Sequence, residues 1–220
     1  MYIAIEGVKG VGKSTLLHHL KGWLELAGVD YQMLCPTRPM PEYCWWEHAA
    51  RYSAYIDDDA FRQALYAARS NHHASQIDWS RELILGDRSI ITSLVTRWEQ
   101  TQRMPALQYV QQVRQQEYAI MLPDHVIVLD LPDRVLLPRL AQRRRRYGKH
   151  DECLARLHAA RSAYHQIEQH ATTLGLGSIR WHWVNADLTM QALTQCIGQR
   201  ILQLLPQHMR QTQHRLALSG

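Results

Sequence analysis

The sequence predicts an α/β fold in which helices flank a five-stranded parallel sheet. Short β-type runs alternate with longer helical patterns along the 220 residues, as in chains built from β-α-β units. Runs such as "LILG" and "VIVLDL" are apolar at consecutive positions, which suits strands covered by helices on both faces. The first strand also enters a glycine-rich segment that is followed directly by a helical pattern. These observations indicate one sheet with a ligand-binding turn after its first strand.

The elements follow one another without an internal repeat or a low-complexity linker. Strands are predicted at residues 2–6, 31–35, 83–87, 125–131 and 181–185. Helices are predicted at residues 13–27, 58–77, 89–101, 106–121, 133–146, 151–172 and 189–205. Pro105 and Pro123 separate neighbouring elements, and Gly175 and Gly177 mark the loop before the last strand. We therefore expect a single domain at residues 1–205, followed by a polar C-terminal tail at residues 206–220.

The composition narrows the class of protein. Hydrophobic residues make up 46% of the chain, which is enough for a substantial core. The four cysteines contain no C-x-x-C pair, so we expect a reducing compartment and neither a disulfide framework nor a zinc site. No apolar run approaches the roughly 18 residues that a membrane span needs. We expect a cytoplasmic protein that does not enter a membrane.

The formal charge of +5 is concentrated in one segment. Five arginines lie within eight residues, at Arg139, Arg143, Arg144, Arg145 and Arg146. Without these five the chain would be neutral. A local basic cluster indicates contact with an anion at one place. It does not indicate a surface that wraps nucleic acid.

The segment "GVKGVGKS", residues 7–14, matches the pattern G-x-x-x-x-G-K-[ST] between a strand and a helix. Its glycines let the backbone direct N–H groups at phosphate oxygens, and the helix start adds the positive end of its dipole. Lys13 would neutralise the β- and γ-phosphates, and the Ser14 hydroxyl would ligate Mg²⁺. The sequence thus predicts that a nucleoside triphosphate binds here. The residues expected to contact its phosphates are Gly7, Gly10, Val11, Gly12, Lys13, Ser14 and Thr15.

Six further segments resemble one family in order and spacing. They are "PTRP", "LYAARSNHHASQI", "DRSIITSL", "VIVLDLPDRVLLPRLAQRRRR", "HAARSAYHQI" and "WVNADLTMQALTQCI". Together with the glycine-rich loop they resemble the thymidylate kinase branch of the nucleoside monophosphate kinases across nearly the whole chain. The resemblance implies a P-loop NTPase fold, a homodimer, and ATP- and Mg²⁺-dependent phosphorylation of a deoxynucleoside monophosphate such as dTMP.

Transfer to an acceptor phosphate needs cations that offset repulsion between two polyanions, and it needs little general-base help. By resemblance, Arg38 grips the acceptor phosphate and Arg69 reaches the edge of the acceptor base. Asp87 helps to organise Mg²⁺ through water, and Arg88 contacts the transferring or the acceptor phosphate. The pair Asp87–Arg88 closes an apolar strand, where packing alone explains a charged pair poorly.

The arginine-rich segment, at about residues 139–151, resembles the lid of such kinases. Arg139 and Arg143 match arginines of the family and are four residues apart, on one helical face. They would stabilise the negative charge that develops during transfer. Closure of the lid would exclude water, which competes as a phosphoryl acceptor.

Three positions depart from the family. Lys9 stands where an acidic residue usually accepts a hydrogen bond from the acceptor sugar, and a lysine cannot accept one. Ser89 replaces an aromatic residue, and Thr96 and Arg97 stand in place of a tyrosine and a glutamine. Either compensation comes from elsewhere, or the acceptor carries extra negative charge near Lys9 and Arg97. Two other interpretations of Lys9 are stabilisation of transition-state charge and simple solvent exposure.

Three alternative functions stay open at this point. A deoxynucleoside kinase would need a carboxylate base after the second strand, for which Glu42 and Glu47 are candidates. A kinase acting on a nucleotide in DNA, or on another phosphorylated acceptor, is supported only by the basic lid and tail. A nucleotide-binding regulator without catalysis is opposed by the intact Lys13, Asp87 and Arg88.

Overall fold

The computed structural model describes residues 1–52, 55, 58–142 and 153–206. Within them, five parallel strands form one sheet in the order β2-β3-β1-β4-β5. The strands are β1 (Tyr2–Glu6), β2 (Tyr31–Leu34), β3 (Leu83–Asp87), β4 (His125–Asp130) and β5 (Arg180–Asn185). The predicted five-stranded parallel sheet is confirmed, and the strand bounds agree with the predicted ones to within one residue.

The helices alternate with the strands as predicted. In chain order they are α1 (Lys13–Leu26), α2 (Trp45–Ala49), α3 (Asp59–Ala74), α4 (Ile90–Thr96), α5 (Ala106–Gln116), α6 (Asp133–Ala141), α7 (Leu154–Gln169) and α8 (Met190–Leu204). A short 3₁₀-helix covers Trp98–Gln102. None of the described helices is long and apolar enough to cross a membrane. The four cysteines are free.

Several helix predictions were wrong in detail: the helices predicted at residues 58–77, 106–121 and 151–172 end at residues 74, 116 and 169. The Asp58 side chain accepts a hydrogen bond from the Phe61 backbone N–H, so Asp58 caps α3 instead of lying inside it. The predicted helix at residues 89–101 is two elements, because Arg97 leaves helical geometry at φ −126° and ψ 29°. Helix α2 was not predicted at all. The parts of two predicted helices that fall at residues 143–152 lie outside the described residues.

Two apolar clusters cover the faces of the sheet. One packs α1, α6 and α8 against β1, β3, β4 and β5, and includes Leu16, Leu20 and Ile197. The other packs α4, α5 and α7 on the opposite face, and includes Ile91, Tyr109 and Ile167. Because the five strands are parallel, their carboxyl ends all lie at one edge of the sheet. The register pairs Ile5 of β1 with Asp87 of β3 there, so the loops after β1 and β3 lie side by side.

Candidate active site

The loop between β1 and α1 has the backbone of a phosphate cradle. Gly7, Gly10 and Gly12 have φ angles of 128°, 91° and 102°, which side-chain-bearing residues rarely adopt. A Cβ on Gly7 would also collide with the Leu129 carbonyl oxygen of the neighbouring strand. Helix α1 has no acidic residue in its first turn, so nothing there opposes an anion at its positive end.

Lys13 is buried and already turned into this loop. Its Nζ donates hydrogen bonds to the carbonyl oxygens of Gly7 at 2.6 Å and Val8 at 2.9 Å. The next two residues, Ser14 and Thr15, are exposed at the start of α1, and Lys9 is half-buried in the loop. The residues present therefore fit a bound triphosphate: an ammonium group, a hydroxyl and the start of helix α1 lie at one cradle.

Glu6, the last residue of β1, is the buried acid beneath the cradle, with an exposure of 0%. Its Oε1 accepts from the Ser89 backbone N–H and the Ser89 hydroxyl, both at 2.8 Å. Its Oε2 accepts from the Thr92 hydroxyl at 2.7 Å and the Tyr164 hydroxyl at 2.8 Å. Four donors therefore satisfy a carboxylate that lies out of contact with water.

Arg88 follows β3 in a strained backbone conformation, with φ at 79°. Its backbone N–H donates to the Ile5 carbonyl at 3.2 Å, and its own carbonyl accepts from the Tyr2 hydroxyl at 3.3 Å. A Cβ at Gly86 would lie 2.6 Å from the Arg88 carbonyl oxygen, which explains the glycine in "LILGD". The Arg88 guanidinium donates to the Thr92 hydroxyl at 3.1 Å. Asp87 beside it is half-buried at the strand end.

Arg38 is exposed after β2, near the same edge of the sheet. Its backbone N–H donates to the Cys35 carbonyl at 3.1 Å, which closes a turn. The carbonyl of Arg38 lies 3.0 Å from His73 Nε2 of α3, so this ring nitrogen must carry the donated proton. Burial lowers the pKa of His73, whereas the hydrogen bond to the Arg38 carbonyl acts in the opposite direction. The turn therefore presents the Arg38 side chain to solvent from a fixed base.

Arg69 of α3 forms a two-point ion pair with Glu47 of α2. Arg69 Nε and one terminal nitrogen lie 2.5 and 2.7 Å from the two Glu47 oxygens. Glu47 also accepts from the Met40 backbone N–H at 2.9 Å. Burial acts to raise the pKa of Glu47, but the Arg69 and Met40 hydrogen bonds and the Arg69 charge outweigh it and lower that pKa. Glu47 is thus engaged as a partner of Arg69, whose guanidinium also lies 5.3 Å from the Tyr66 ring centre.

Arg97 is buried between α3, α4 and α5 and borders a small cavity that opens to solvent. Its Nε lies 3.5 Å from Asp59 Oδ1 and has no hydrogen-bond partner within the part of the chain that is described. Glu117 lines the same cavity and is 3% exposed. Burial raises the pKa of Glu117 to about 7, although the charge of Arg97 acts in the opposite direction.

Of the predicted lid at about residues 139–151, the structure describes residues 139–142. Arg139 is half-buried in the last turn of α6. Arg143 and the three following arginines lie outside the described residues, as does most of the segment at 139–151. Nearby, Arg161 of α7 binds Asp130 Oδ1 at 2.9 Å and Asp133 Oδ1 at 3.0 Å, which fixes α7 against the end of β4.

The structure brings Lys13 and the Asp87–Arg88 pair to neighbouring strand ends, and Arg38 to the same edge one strand further on. Arg69 and Arg97 lie along α3 and at the end of α4. Sequence reasoning missed Glu6, Thr92 and Tyr164. One signal for Glu6 was available, because it is a charged residue that closes an apolar strand in the same way as Asp87. Among the described residues, no group of three or more His, Cys, Asp or Glu side chains could hold a metal ion.

The chain is similar to known proteins over most of its length. A family model described as thymidylate kinase matches residues 5–174. The thymidylate kinase of Thermosynechococcus vestitus is 29% identical over 214 residues, which cover 90% of this chain and 85% of the relative. That of Helicobacter hepaticus is 26% identical over 151 residues, 64% of this chain and 70% of the relative. A probable thymidylate kinase of Methanobrevibacter smithii is 32% identical over 133 residues, 60% of this chain and 64% of the relative. The chain therefore belongs to the thymidylate kinase family, and it is a nucleoside monophosphate kinase of that type.

Proposed function

We propose that this kinase transfers the γ-phosphoryl group of ATP, with Mg²⁺, to the phosphate of a deoxynucleoside monophosphate, and that dTMP is its acceptor. The observation that carries the proposal is the adjacency of two cationic ends. The Lys13 cradle follows β1, and Arg88 follows β3, its hydrogen-bonded neighbour in the sheet. Two phosphate groups can thus be held side by side, as in-line transfer between polyanions requires.

Each site residue has a distinct task in this proposal. Lys13 leaves the Gly7 and Val8 carbonyls to neutralise the donor phosphates. Mg²⁺, when bound, supplies charge neutralisation at the phosphate oxygens, and Ser14 and Asp87 are the residues that would hold it, Asp87 through water. Arg88 offsets charge between the two phosphates, and Arg38 grips the acceptor. Arg139 and Arg143 would close over the donor from the lid.

An acceptor that already carries a phosphate fits the site better than a neutral hydroxyl. A hydroxyl acceptor needs a carboxylate base, and Glu47 is engaged in its two-point pair with Arg69. Glu42 pairs with Arg51 at 2.8 Å and its side chain is 87% exposed. Neither carboxylate is poised as a base, which disfavours the deoxynucleoside kinase alternative. The homodimer implied by the resemblance stays a prediction.

The test is a panel of nucleosides and nucleoside monophosphates, assayed with ATP and Mg²⁺ by release of ADP. We expect turnover of dTMP or a related monophosphate, and none of the free nucleosides. Lys13→Ala should abolish turnover, whereas Lys21→Ala, on the same helix but away from the loop, should leave it intact. Arg38→Ala should chiefly raise the KM for the acceptor. Phosphorylation of thymidine but not of dTMP would overturn the proposal.

Acceptor preference is tested separately with Lys9→Glu and Arg97→Gln. These changes move each position towards the acidic residue and the glutamine of the family pattern. If Lys9 and Arg97 tune acceptor choice, the ranking of monophosphates in the panel will change. An unchanged ranking in both variants would remove these two residues from the acceptor site.

A further inference from the structure

We propose that Glu6 is a positioning residue that aligns Arg88 with the phosphate loop, acting through the hydroxyls of Thr92 and Tyr164. This inference rests on the proposed function, because Arg88 and the loop are the groups that would hold the two phosphates. It adds a residue beneath the site that touches neither phosphate.

The direction of the hydrogen bonds carries the argument. The Thr92 hydroxyl has one proton, and it donates that proton to Glu6 Oε2 at 2.7 Å. Its lone pairs are then aimed away from Glu6, and one accepts from the Arg88 guanidinium at 3.1 Å. A guanidinium can only donate, so the Thr92 hydroxyl must be an acceptor on that side. The negative charge of Glu6 thus fixes which way the hydroxyl points and where Arg88 binds.

Tyr164 repeats this arrangement towards the phosphate loop. Its hydroxyl donates to Glu6 Oε2 at 2.8 Å and accepts from the Gly7 backbone N–H at 3.2 Å. Burial, together with the charge of Glu6, raises the pKa of Tyr164, so the phenol keeps the proton that it donates. One carboxylate oxygen therefore orders both a contact to the loop and a contact to Arg88.

Ser89 provides the third hydroxyl of the same kind. It donates to Glu6 Oε1 at 2.8 Å and accepts from the Ile91 backbone N–H at 3.2 Å, so it caps α4. An aromatic side chain at this position could do neither. The departure at Ser89 is thereby explained as part of the Glu6 cluster, defined as Glu6, Ser89, Thr92 and Tyr164.

The Glu6 cluster helps to hold Arg88 in its strained backbone conformation. A φ of 79° is costly for an arginine and persists only where surrounding contacts determine it. The backbone of Arg88 is held by Ile5 and Tyr2, and the next residue is held by Glu6 through the Ser89 N–H. The Thr92 hydroxyl then fixes the tip of the side chain. Backbone and guanidinium are both held by contacts to β1, the strand that leads into the phosphate loop.

The experiment compares Thr92→Val with Thr92→Ser. Valine keeps the shape and removes the hydroxyl, whereas serine keeps the hydroxyl. We expect Thr92→Val to lower kcat by about ten- to a hundredfold, because a misplaced charged group costs up to that factor. Thr92→Ser should restore most of the activity, and the KM for ATP should change in neither variant. Thr194→Val is the matched control, because the buried Thr194 hydroxyl donates to the Met190 carbonyl within α8.

Crystal structures of the two Thr92 variants give a readout that does not depend on turnover. The Arg88 guanidinium should stay against the residue-92 hydroxyl in Thr92→Ser and leave that position in Thr92→Val. An unmoved Arg88 with unchanged kcat in Thr92→Val would overturn the inference, and so would equal losses of kcat in Thr92→Val and Thr194→Val. If wild-type protein phosphorylates no monophosphate, the proposed function fails, while the position of Arg88 in the two structures still decides the role of the hydroxyl.

Tyr164→Phe tests the other branch, and it keeps the inference open to refutation if Thr92→Val does not fold. Loss of the phenol oxygen leaves the Gly7 N–H without its acceptor, so the loop should bind ATP several-fold more weakly. The position of Arg88 should not change. ATP affinity equal to that of wild type, measured by calorimetry, would contradict the role of Glu6 in ordering the loop.

Discussion

Two buried glutamates lie near the two ends of helix α4, and their surroundings differ. Glu6, at the start of the helix, accepts four hydrogen bonds from three residues. Glu117, beside the residues Ser93 and Arg97 towards the end of the helix, is almost as buried, and its pKa is raised to about 7. The difference teaches that the number of aimed donors, and not burial alone, decides how a buried carboxyl group is used.

The two ends of α4 also differ in what the nearby arginine does. Arg88 is connected to Glu6 through an aimed hydroxyl. Arg97 contributes its charge near Glu117, but its Nε makes no hydrogen bond to any described residue. The first arrangement fixes a side chain in one position. The second arrangement places the carboxyl group of Glu117 beside the Arg97 guanidinium, whose Nε has no hydrogen-bond partner among the described residues.

The same substitution should have opposite effects at the two glutamates, and the larger effect is expected at Glu6. Glu6→Gln removes the charge that orders four donors and places an amide NH₂ against some of them. We expect the free energy of unfolding to fall by about 3–5 kcal/mol, because charge-assisted bonds are lost and buried donors are left unpaired. Urea unfolding at pH 7 measures it. If Glu6→Gln lowered the free energy of unfolding by less than the exposed control Glu25→Gln does, the proposed difference between Glu6 and Glu117 would be wrong.

The fold was predictable because its signals are local in sequence. Uninterrupted apolar runs identified the strands, and the spacing of glycines and Lys13 identified the cradle. The Glu6 cluster was not predictable in the same way. Its donors lie 83 to 158 residues from Glu6, and only the order of strands and the packing of α7 bring them together.

The end of α4 illustrates a second limit of the sequence. The segment from Ser89 to Thr101 has no proline or glycine that would stop a helix. The break at Arg97 accompanies burial of its guanidinium between α3 and α5, which is a tertiary effect. Arg97 was expected near the acceptor because of its position in a family pattern. Burial beside Glu117 is a feature that such a pattern does not carry.

Glu117→Gln should stabilise the protein above pH 7. The pKa of Glu117 is about 7 in the folded state and ordinarily 4.5, so the folded state holds one more proton between these values. The free energy of unfolding of wild type therefore falls as the pH rises from 4.5 to about 7, and this contribution stays lost above that. The difference between the two pKa values corresponds to a loss of about 3 kcal/mol in the free energy of unfolding. The neutral amide of glutamine does not ionise and so does not cause this loss. Urea midpoints at pH 5 and pH 8 measure the effect. Equal destabilisation at both values would show that Glu117 is charged in the folded protein.

Arg97→Gln should raise the pKa of Glu117, an effect smaller than those expected for the two glutamate substitutions. The charge of Arg97 lowers the pKa of Glu117, so removing it should move that pKa above 7. Carbon-13 NMR titration of the glutamate carboxyl groups measures the change. Arg114→Gln, an exposed substitution on the same helix as the cavity-lining Val113, serves as the control. A downward shift, or none, would mean that the Arg97 charge does not reach Glu117.

A basic counterpart of Glu117 lies between β4 and β5. His125 Nδ1 and His182 Nε2 are 3.0 Å apart, and an Arg200 nitrogen lies 3.3 Å from His182 Nδ1. Because Arg200 can only donate, His182 Nδ1 accepts and His182 Nε2 carries the proton that it donates to His125. Both rings are then neutral. A proton added to His182 Nδ1 would face the Arg200 guanidinium.

The smallest predicted effect has the opposite pH direction to that of Glu117. Burial lowers the pKa of both histidines, and the charge of Arg180 lowers both pKa values further. The charge of Arg200 also lowers the pKa of His182. At His125 the charge of Asp124 acts in the opposite direction and raises the pKa. The unfolded chain therefore binds protons near pH 6.5 that the folded chain does not bind, so stability falls as the pH drops through 6.5. His182→Gln should reduce this loss between pH 7.5 and 5.5 in urea unfolding. A loss of unchanged size in the variant would mean that the paired rings do not cause this pH dependence, and the rule drawn from the two glutamates would not extend to bases.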